Sequence, residues 1–268
     1  MHSSSRSFPL SSPTKKIYNR EFCKVKITFL GTSHGVPEAD RNCSSAMIEI
    51  GESIYLIDAG APVSEELRKR GKDFNAVRAI FTTHAHGDHT MGLIPFSVLS
   101  TWYFKKVSVD IYLTEQELID GIKNLMENGM HMPLREDGVR YHTFGEGKVY
   151  EDENIRVTAI PTKHCLPRPS YALLVESCGK RVLFSGDISF HMREDDMPKE
   201  AFGEPLDAFI LELAHNEITH LRPYLERITA KKLYFNHISP TKFEGVYAAR
   251  EDFAYPVEFL SDGDVLKI

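Results

Sequence analysis

Hydrophobic and polar residues alternate along Lys24-Val-Lys-Ile-Thr-Phe-Leu30, and the run stops at Gly31, which predicts a first, half-buried strand. The same signal in Ser45–Ile50 and Ser53–Ile57, either side of Gly51-Glu52, predicts a hairpin. Ser64 to Arg70 has helical spacing, with Gly71 where a helix C-terminus prefers it. Val77 to Thr82 is an apolar strand running into a histidine-rich segment, and Thr90 to Phe104 returns to the helical period. Val107 to Leu113 predicts a strand, followed by a helix over Glu115–Glu127 with Thr114 as its cap. Further strands are predicted at Tyr141–Phe144, Ile155–Ile160, Tyr171–Glu176, Arg181–Ser185, Ala208–Leu213, Lys232–Asn236 and Val265–Ile268, with a helix at Ile218–Thr229. Strand groups interleaved with helices in both halves imply an α/β protein with mixed sheets.

Composition adds bounds to this picture. The 268 residues are 42% hydrophobic and 26% charged, as in an ordinary globular protein. Thirty-two Lys and Arg against 38 Asp and Glu give a net charge of −6, so no surface for long nucleic acid is expected. A small anionic substrate is still compatible, because charge at a site outweighs the global sum. Cys23, Cys43, Cys165 and Cys178 are dispersed with no C-x-x-C pair, which argues against a disulfide framework or a zinc knuckle and fits a reducing compartment. No run approaches 18 apolar residues, so no membrane span is expected and the cytoplasm is the expected location. Residues 1–22, rich in Ser, Pro and Lys, predict a disordered tail before a single domain over 23–268.

The chemistry concentrates in His84-Ala-His-Gly-Asp-His89. In extended chain His84 and His86 point the same way and suit one ion. Asp88 and His89 fall where the chain bends into the next helix, facing a second ion, with Gly87 expected to permit the bend. Imidazole and carboxylate donors suit zinc, manganese or iron. Two ions need more donors, and strand ends are where to look for them. His164 follows the strand Ile155–Ile160, Asp187 follows Val182–Phe184 and is placed to bridge both ions, and His237 follows Leu233–Phe235.

The order H-x-H-x-D-H, then His, then Gly-Asp, then His resembles the metallo-β-lactamase superfamily over nearly all of residues 24–268. The resemblance implies a four-layer αββα sandwich with two mixed sheets. It assigns His84, His86 and His164 to a first metal and Asp88, His89 and His237 to a second, with Asp187 bridging. Asp58, in Leu56-Ile-Asp-Ala-Gly60, matches the residue that orients the metal-binding loop in that family. An aspartate at 187 differs from the cysteine of the true β-lactamases. Phe29-Leu-Gly-Thr-Ser-His-Gly-Val-Pro37, Arg41-Asn-Cys-Ser-Ser45 and His237-Ile-Ser-Pro240 are similar to the tRNase Z group. That group inserts its tRNA-binding arm between the third and fourth motifs, where here 23 residues separate His164 from Asp187, room for one hairpin and no arm.

The chain therefore looks closer to the armless cyclic-phosphate phosphodiesterases. The structural zinc of those relatives uses clustered cysteines, of which only Cys43 is present in the matching region, so no third metal is expected. In phosphodiesterase members a histidine that binds no metal protonates the leaving oxygen. His215 matches it, and Glu212 matches the acidic residue that orients it. Asp88, His215 and Glu212 are the candidate catalytic groups, and His34, in the glycine-containing loop after the first strand, is a candidate phosphate contact. His2, His131, His142, His191 and His220 are read as surface.

The expected function is hydrolysis of a small or cyclic phosphodiester or nucleotide by a hydroxide bridging two divalent ions, Zn or Mn, with Fe as a further option. A tRNase Z-like RNA endonuclease, or a lactone or thioester hydrolase on the same metals, is the alternative. The relatives suggest a homodimer. Met126–Pro133, inside the long segment 90–163, reads as a soft-surfaced stretch suited to a lid or a dimer contact, or else as a helix end packing its own core.

Overall fold

The computed structural model describes residues 24–104, 107–135, 137–190 and 196–268. The expected tail, His2 and His191 lie outside the described residues. Among the described residues, fourteen strands form two seven-stranded sheets with helices outside both, the four-layer αββα sandwich expected from the sequence.

The first sheet has the order β14-β1-β2-β3-β4-β5-β6, from β1 (Val25–Gly31), β2 (Ser45–Ile50), β3 (Ser53–Ile57), β4 (Val77–Phe81), β5 (Val109–Leu113), β6 (Val139–Thr143) and β14 (Val265–Lys267). The second has the order β13-β12-β11-β10-β9-β8-β7. It comprises β7 (Gly147–Glu151), β8 (Arg156–Pro161), β9 (Tyr171–Ser177), β10 (Lys180–Phe184), β11 (Ala208–Leu213), β12 (Leu233–Ile238) and β13 (Val257–Phe259). Each sheet is mixed. The pairs from β3 to β6 and from β10 to β13 are parallel, and those among β14, β1, β2 and β3 and from β7 to β10 are antiparallel.

Period-two alternation lets each strand serve two cores. Ile27, Phe29, Ile48, Tyr55, Ile57 and Phe81 of the first sheet meet Val157, Leu173, Val175, Phe184 and Ile210 of the second in one buried cluster. The opposite faces carry separate apolar layers, against α1 (Val63–Lys69), α3 (Leu93–Val98) and α4 (Gln116–Asn124) on one side and α5 (Ile218–Leu225) and α6 (Phe243–Ala249) on the other. Fully burying side chains of this size stabilises the fold by roughly 1.5–3 kcal/mol each. Loops leaving the two packed sheets are thereby held in register with one another.

Local expectations needed several corrections. Thr114 does not cap the helix it precedes: Glu115 is the N-cap, with no side-chain cap bond, and the buried Thr114 hydroxyl has no hydrogen-bond partner. The predicted long helices each end in a π-helical turn, Leu99–Tyr103 after α3 and Leu125–Gly129 after α4. Met126 is fully buried in the outer core. Gly87, expected to permit the bend by lacking a Cβ, does so through space rather than an unusual φ. It opens the one-turn helix α2 (Gly87–Thr90) at an ordinary φ, and a Cβ there would press on Met91 at 3.2 Å. β7, β13 and α6 went unpredicted.

Candidate metal centre

The functional side chains lie on loops at the ends of strands in both sheets, where parallel strands of a packed α/β fold open a crevice. β4 runs into a bent segment that carries His84, and the extended His86 is the N-cap of α2, with Asp88 and His89 on its single turn. Nε2 of His84 lies 3.0 Å from Nδ1 of His86, and Nε2 of His164 lies 3.3 Å from that same nitrogen. Asp88 Oδ2 is 3.2 Å from His89 Nε2 and 3.7 Å from His237 Nε2. The buried Asp187 carboxylate faces both groups: Oδ2 stands 3.8 Å from His84, 3.7 Å from His164 and 3.4 Å from His237, and Oδ1 3.6 Å from His89. The structure thus brings together all seven residues named as metal donors.

These spacings fit ions better than a hydrogen-bonded network. Donors about 2.0–2.2 Å from a tetrahedral ion stand roughly 3.3 Å apart, and the observed separations scatter around that value. Imidazole nitrogens crowd lone pair to lone pair unless a cation or proton sits between them. His89 Nε2 and Asp187 Oδ1 are buried with no hydrogen-bond partner, which would cost stability in a site built only of protein. Burial and the neighbouring His89 hold His84 well below the ordinary histidine pKa, and burial lowers His164, so both favour the neutral form a ligand must adopt. Burial alone would raise the pKa of Asp187, but His237 and His89 outweigh it and keep the group ionised. The donor set therefore fits divalent cations, and grouped His and Asp donors able to hold them recur across the site.

Buried hydrogen bonds aim the donors. Asp58 has φ +59°, a left-handed conformation that aspartate tolerates better than most residues. Its carboxylate accepts from the Thr83 backbone N–H (2.7 Å) and hydroxyl (3.1 Å), and lies 2.8 Å from His89 Nδ1. With Nδ1–H given to Asp58, the Nε2 lone pair of His89 is left for an ion. Asp58→Asn is expected to weaken metal binding at the Asp88–His89–His237 group about 10- to 100-fold, measured by chelator competition. Wild-type affinity in that variant would remove Asp58 from the site.

Backbone devices place the later donors. At the end of β12, Glu212 pairs with Asn236 and Leu213 with Ile238, so His237 is the extra residue of a bulge, at φ +50°. Bulges re-aim side chains in this way beside functional sites. Gly186, before Asp187, has φ +56°, and a Cβ there would fall 2.6 Å from the Tyr171 carbonyl oxygen. Only glycine fits.

His215 and Glu212 also reach the site. Nδ1 of His215 is 3.1 Å from Glu212 Oε1 and 3.8 Å from Asp187 Oδ2, and its ring packs 4.6 Å from that of His164. The buried Glu212 carboxylate is fixed in turn by the backbone N–H groups of Ile188 (3.2 Å) and Ala214 (2.6 Å). Burial opposes the charged form of His215, but its hydrogen bond to Glu212 and that carboxylate's charge prevail and raise its pKa. His34 pairs instead with Glu38 at 3.1 Å, although a Cβ on the following Gly35 would stand 3.9 Å from Asp88 Oδ2. His131 and His220 are exposed, and His142 pairs with Asp110 on the first sheet.

Sequence reasoning passed over Asp196. It is 2% exposed, and its two carboxylate oxygens accept from the backbone N–H groups of Lys163 and Ser189, clamping the His164 and Asp187 loops together. Ending the acidic run Glu194-Asp-Asp196, it reads as solvated surface, and no local signal marks it. Arg168, paired with the buried Glu115, ties the His164 loop to the start of α4.

Comparison with known proteins bears on this site directly. Residues 25–244, a span containing every donor described above, match the model of the family described as Anti-Pycsar protein Apyc1. The chain belongs to that family. Apyc1-family membership accompanies a wider likeness. A ribonuclease Z of Acaryochloris marina is 29% identical over 172 residues, covering 63% of this chain and 52% of that protein. The chain spans about half the length of the first curated relatives it matches. Among solved structures, the metallo-β-lactamase fold protein YhfI from Bacillus subtilis superposes with a TM-score of 0.74 at 18% identity, covering 91% of this chain and all of that one. A diphosphatase of the PhnP family gives 0.69 at 19% identity, covering 91% and 98%.

Proposed function

We propose that this Apyc1-family chain is a metal-dependent hydrolase that opens a small or cyclic phosphodiester or nucleotide, with His84, His86 and His164 holding one divalent ion, Asp88, His89 and His237 a second, and Asp187 bridging. Zinc or manganese suits the donors, and iron is compatible with them. Ions bound there would lower the pKa of a water toward about 7 and neutralise phosphate oxygens. The observation that carries the phosphodiester reading is the His215–Glu212 pair. This pair sets a protonatable imidazole, outside the two proposed donor sets, 3.8 Å from Asp187 and beside the cluster, a position that suits a proton donor to a leaving oxygen. Among the described residues, His215 Nε2 makes no hydrogen bond, so Glu212 steadies one nitrogen and leaves the other to substrate. A lactone or thioester hydrolase would have no comparable use for the pair.

The likeness to ribonuclease Z supports the wider hydrolase reading. Against an RNA substrate, β9 and β10 are joined by the tight Cys178-Gly179 turn, both residues at positive φ, so one hairpin fills the interval between His164 and Asp187. The net charge of −6 points the same way.

The test is turnover by zinc- and manganese-loaded protein on cyclic nucleotides, short RNA, pre-tRNA and lactones side by side. Opening of a cyclic nucleotide is expected to be fastest. Faster cleavage of pre-tRNA would establish the endonuclease alternative, and faster lactone opening would overturn the role given to His215.

A pH dependence follows from Glu212. As a proton donor, His215 works only when protonated, so the rate falls as pH rises through its pKa. Glu212→Gln removes the carboxylate that raises that pKa, and the alkaline limb of the kcat profile moves to lower pH. An alkaline limb that stays in place would show that His215 is not the group titrating.

A further inference from the structure

The loop between β8 and β9 carries one more donor beside the first histidine group. Cys165 follows His164 directly, is a free, half-buried thiol, and its sulfur lies 4.0 Å from Nε2 of His86. The Cys165 sulfur and one nitrogen from each of His84, His86 and His164 all lie within 4.8 Å of one another. Three imidazoles and a thiol are donors of the kind zinc accepts, and with the bridging Asp187 they would give the first position five. In a tetrahedral site with arms of about 2.0–2.1 Å to nitrogen and 2.3 Å to sulfur, nitrogen and sulfur stand roughly 3.5 Å apart. The 4.0 Å contact of the Cys165 sulfur is with Nε2 of His86, whereas His84 and His164 meet Nδ1 of that ring, so rotation about χ1 is the motion needed to turn the sulfur toward the shared centre. His84 is buried and His164 partly so, while His86 is exposed and Cys165 half-buried, so the sulfur lies on the open side of the group.

We propose that Cys165 is a sulfur ligand of the first metal position, bound as thiolate with its proton released to solvent. A thiolate beside three imidazoles is a softer set than imidazole and carboxylate alone, so the first position would prefer zinc to manganese, while the Asp88–His89–His237 group stays tolerant of either. The inference rests on the metal-binding part of the proposed function and is independent of the substrate.

Cobalt(II) substitution of the full chain tests it without an activity assay. The wild-type protein is expected to show a near-ultraviolet sulfur-to-cobalt charge-transfer band together with visible ligand-field bands. Cys165→Ser and Cys165→Ala should lose the first and keep the second. In the unaltered protein, iodoacetamide labelling resolved by peptide mass spectrometry should be blocked at Cys165 by zinc, with Cys43 as the internal reference. Visible bands without a charge-transfer band would leave Cys165 as no more than a hydrogen-bond acceptor for His86 and overturn the proposal, as would equal labelling with and without zinc. Failure to bind cobalt at all would overturn the metal centre and this inference with it.

Discussion

Asp187→Ala is expected to lower phosphodiester turnover by about 10²–10³-fold or more, the cost of losing one preorganised charged group from a reacting centre, and to lower bound metal at both donor groups. The reason is geometric. Asp187 is within 3.8 Å of His84, His164, His237 and His89, which belong to two different donor groups, so its loss is felt on both sides. The carboxylate is buried, and its ionised form is sustained by His237 and His89 rather than by water. Asp187→Asn preserves the volume and separates charge from packing: both variants should fail if charge matters, and only the alanine if packing does. Elemental analysis of the purified protein and kcat/KM on a cyclic nucleotide are the readouts. Retention of two metal equivalents with wild-type turnover in Asp187→Asn would sink the bridging assignment.

How far the sequence disclosed this site depended on how locally each residue's role is encoded. His84, His86, Asp88 and His89 share six residues, and a strand-to-helix turn separates their side chains by period alone, so their grouping is a local fact. His164, Asp187 and His237 are each an unremarkable strand-end residue. Only their order behind the first motif singled them out, and the juxtaposition itself is made by β8, β10 and β12 lying in one sheet opposite β4. Asp196 marks the limit. Its function consists of two backbone N–H groups contributed by residues 163 and 189, and nothing in its neighbourhood along the chain encodes them. The missed strands have a similar origin. β7 and β13 lie at opposite edges of the second sheet and are only partly buried, so their alternation is weak. Gly87 is legible locally, because a glycine before a bend suggests a place where a Cβ would crowd, and the space beside Met91 is that place.

His215→Ala carries the second large effect, and its size should depend on the leaving group. General acid catalysis is worth about 10²–10⁴-fold where the departing oxygen is a poor leaving group. Opening a cyclic nucleotide expels a sugar alkoxide, which needs the proton, so kcat should fall across that range. Bis(p-nitrophenyl) phosphate expels p-nitrophenolate, stable without protonation, and its turnover should fall far less. A residue that merely packed against His164 would depress both substrates alike, because its loss would disturb the donors rather than the proton transfer. The ring contacts of His215 with His164 and with the exposed Phe190, each 4.6 Å between centroids, make that structural outcome a real competitor. His215→Asn sharpens the distinction by keeping a planar polar side chain near Glu212 without a titrating nitrogen. Equal losses on the two substrates in both variants would place His215 among the supporting residues and remove the main reason for preferring a phosphodiester over a lactone.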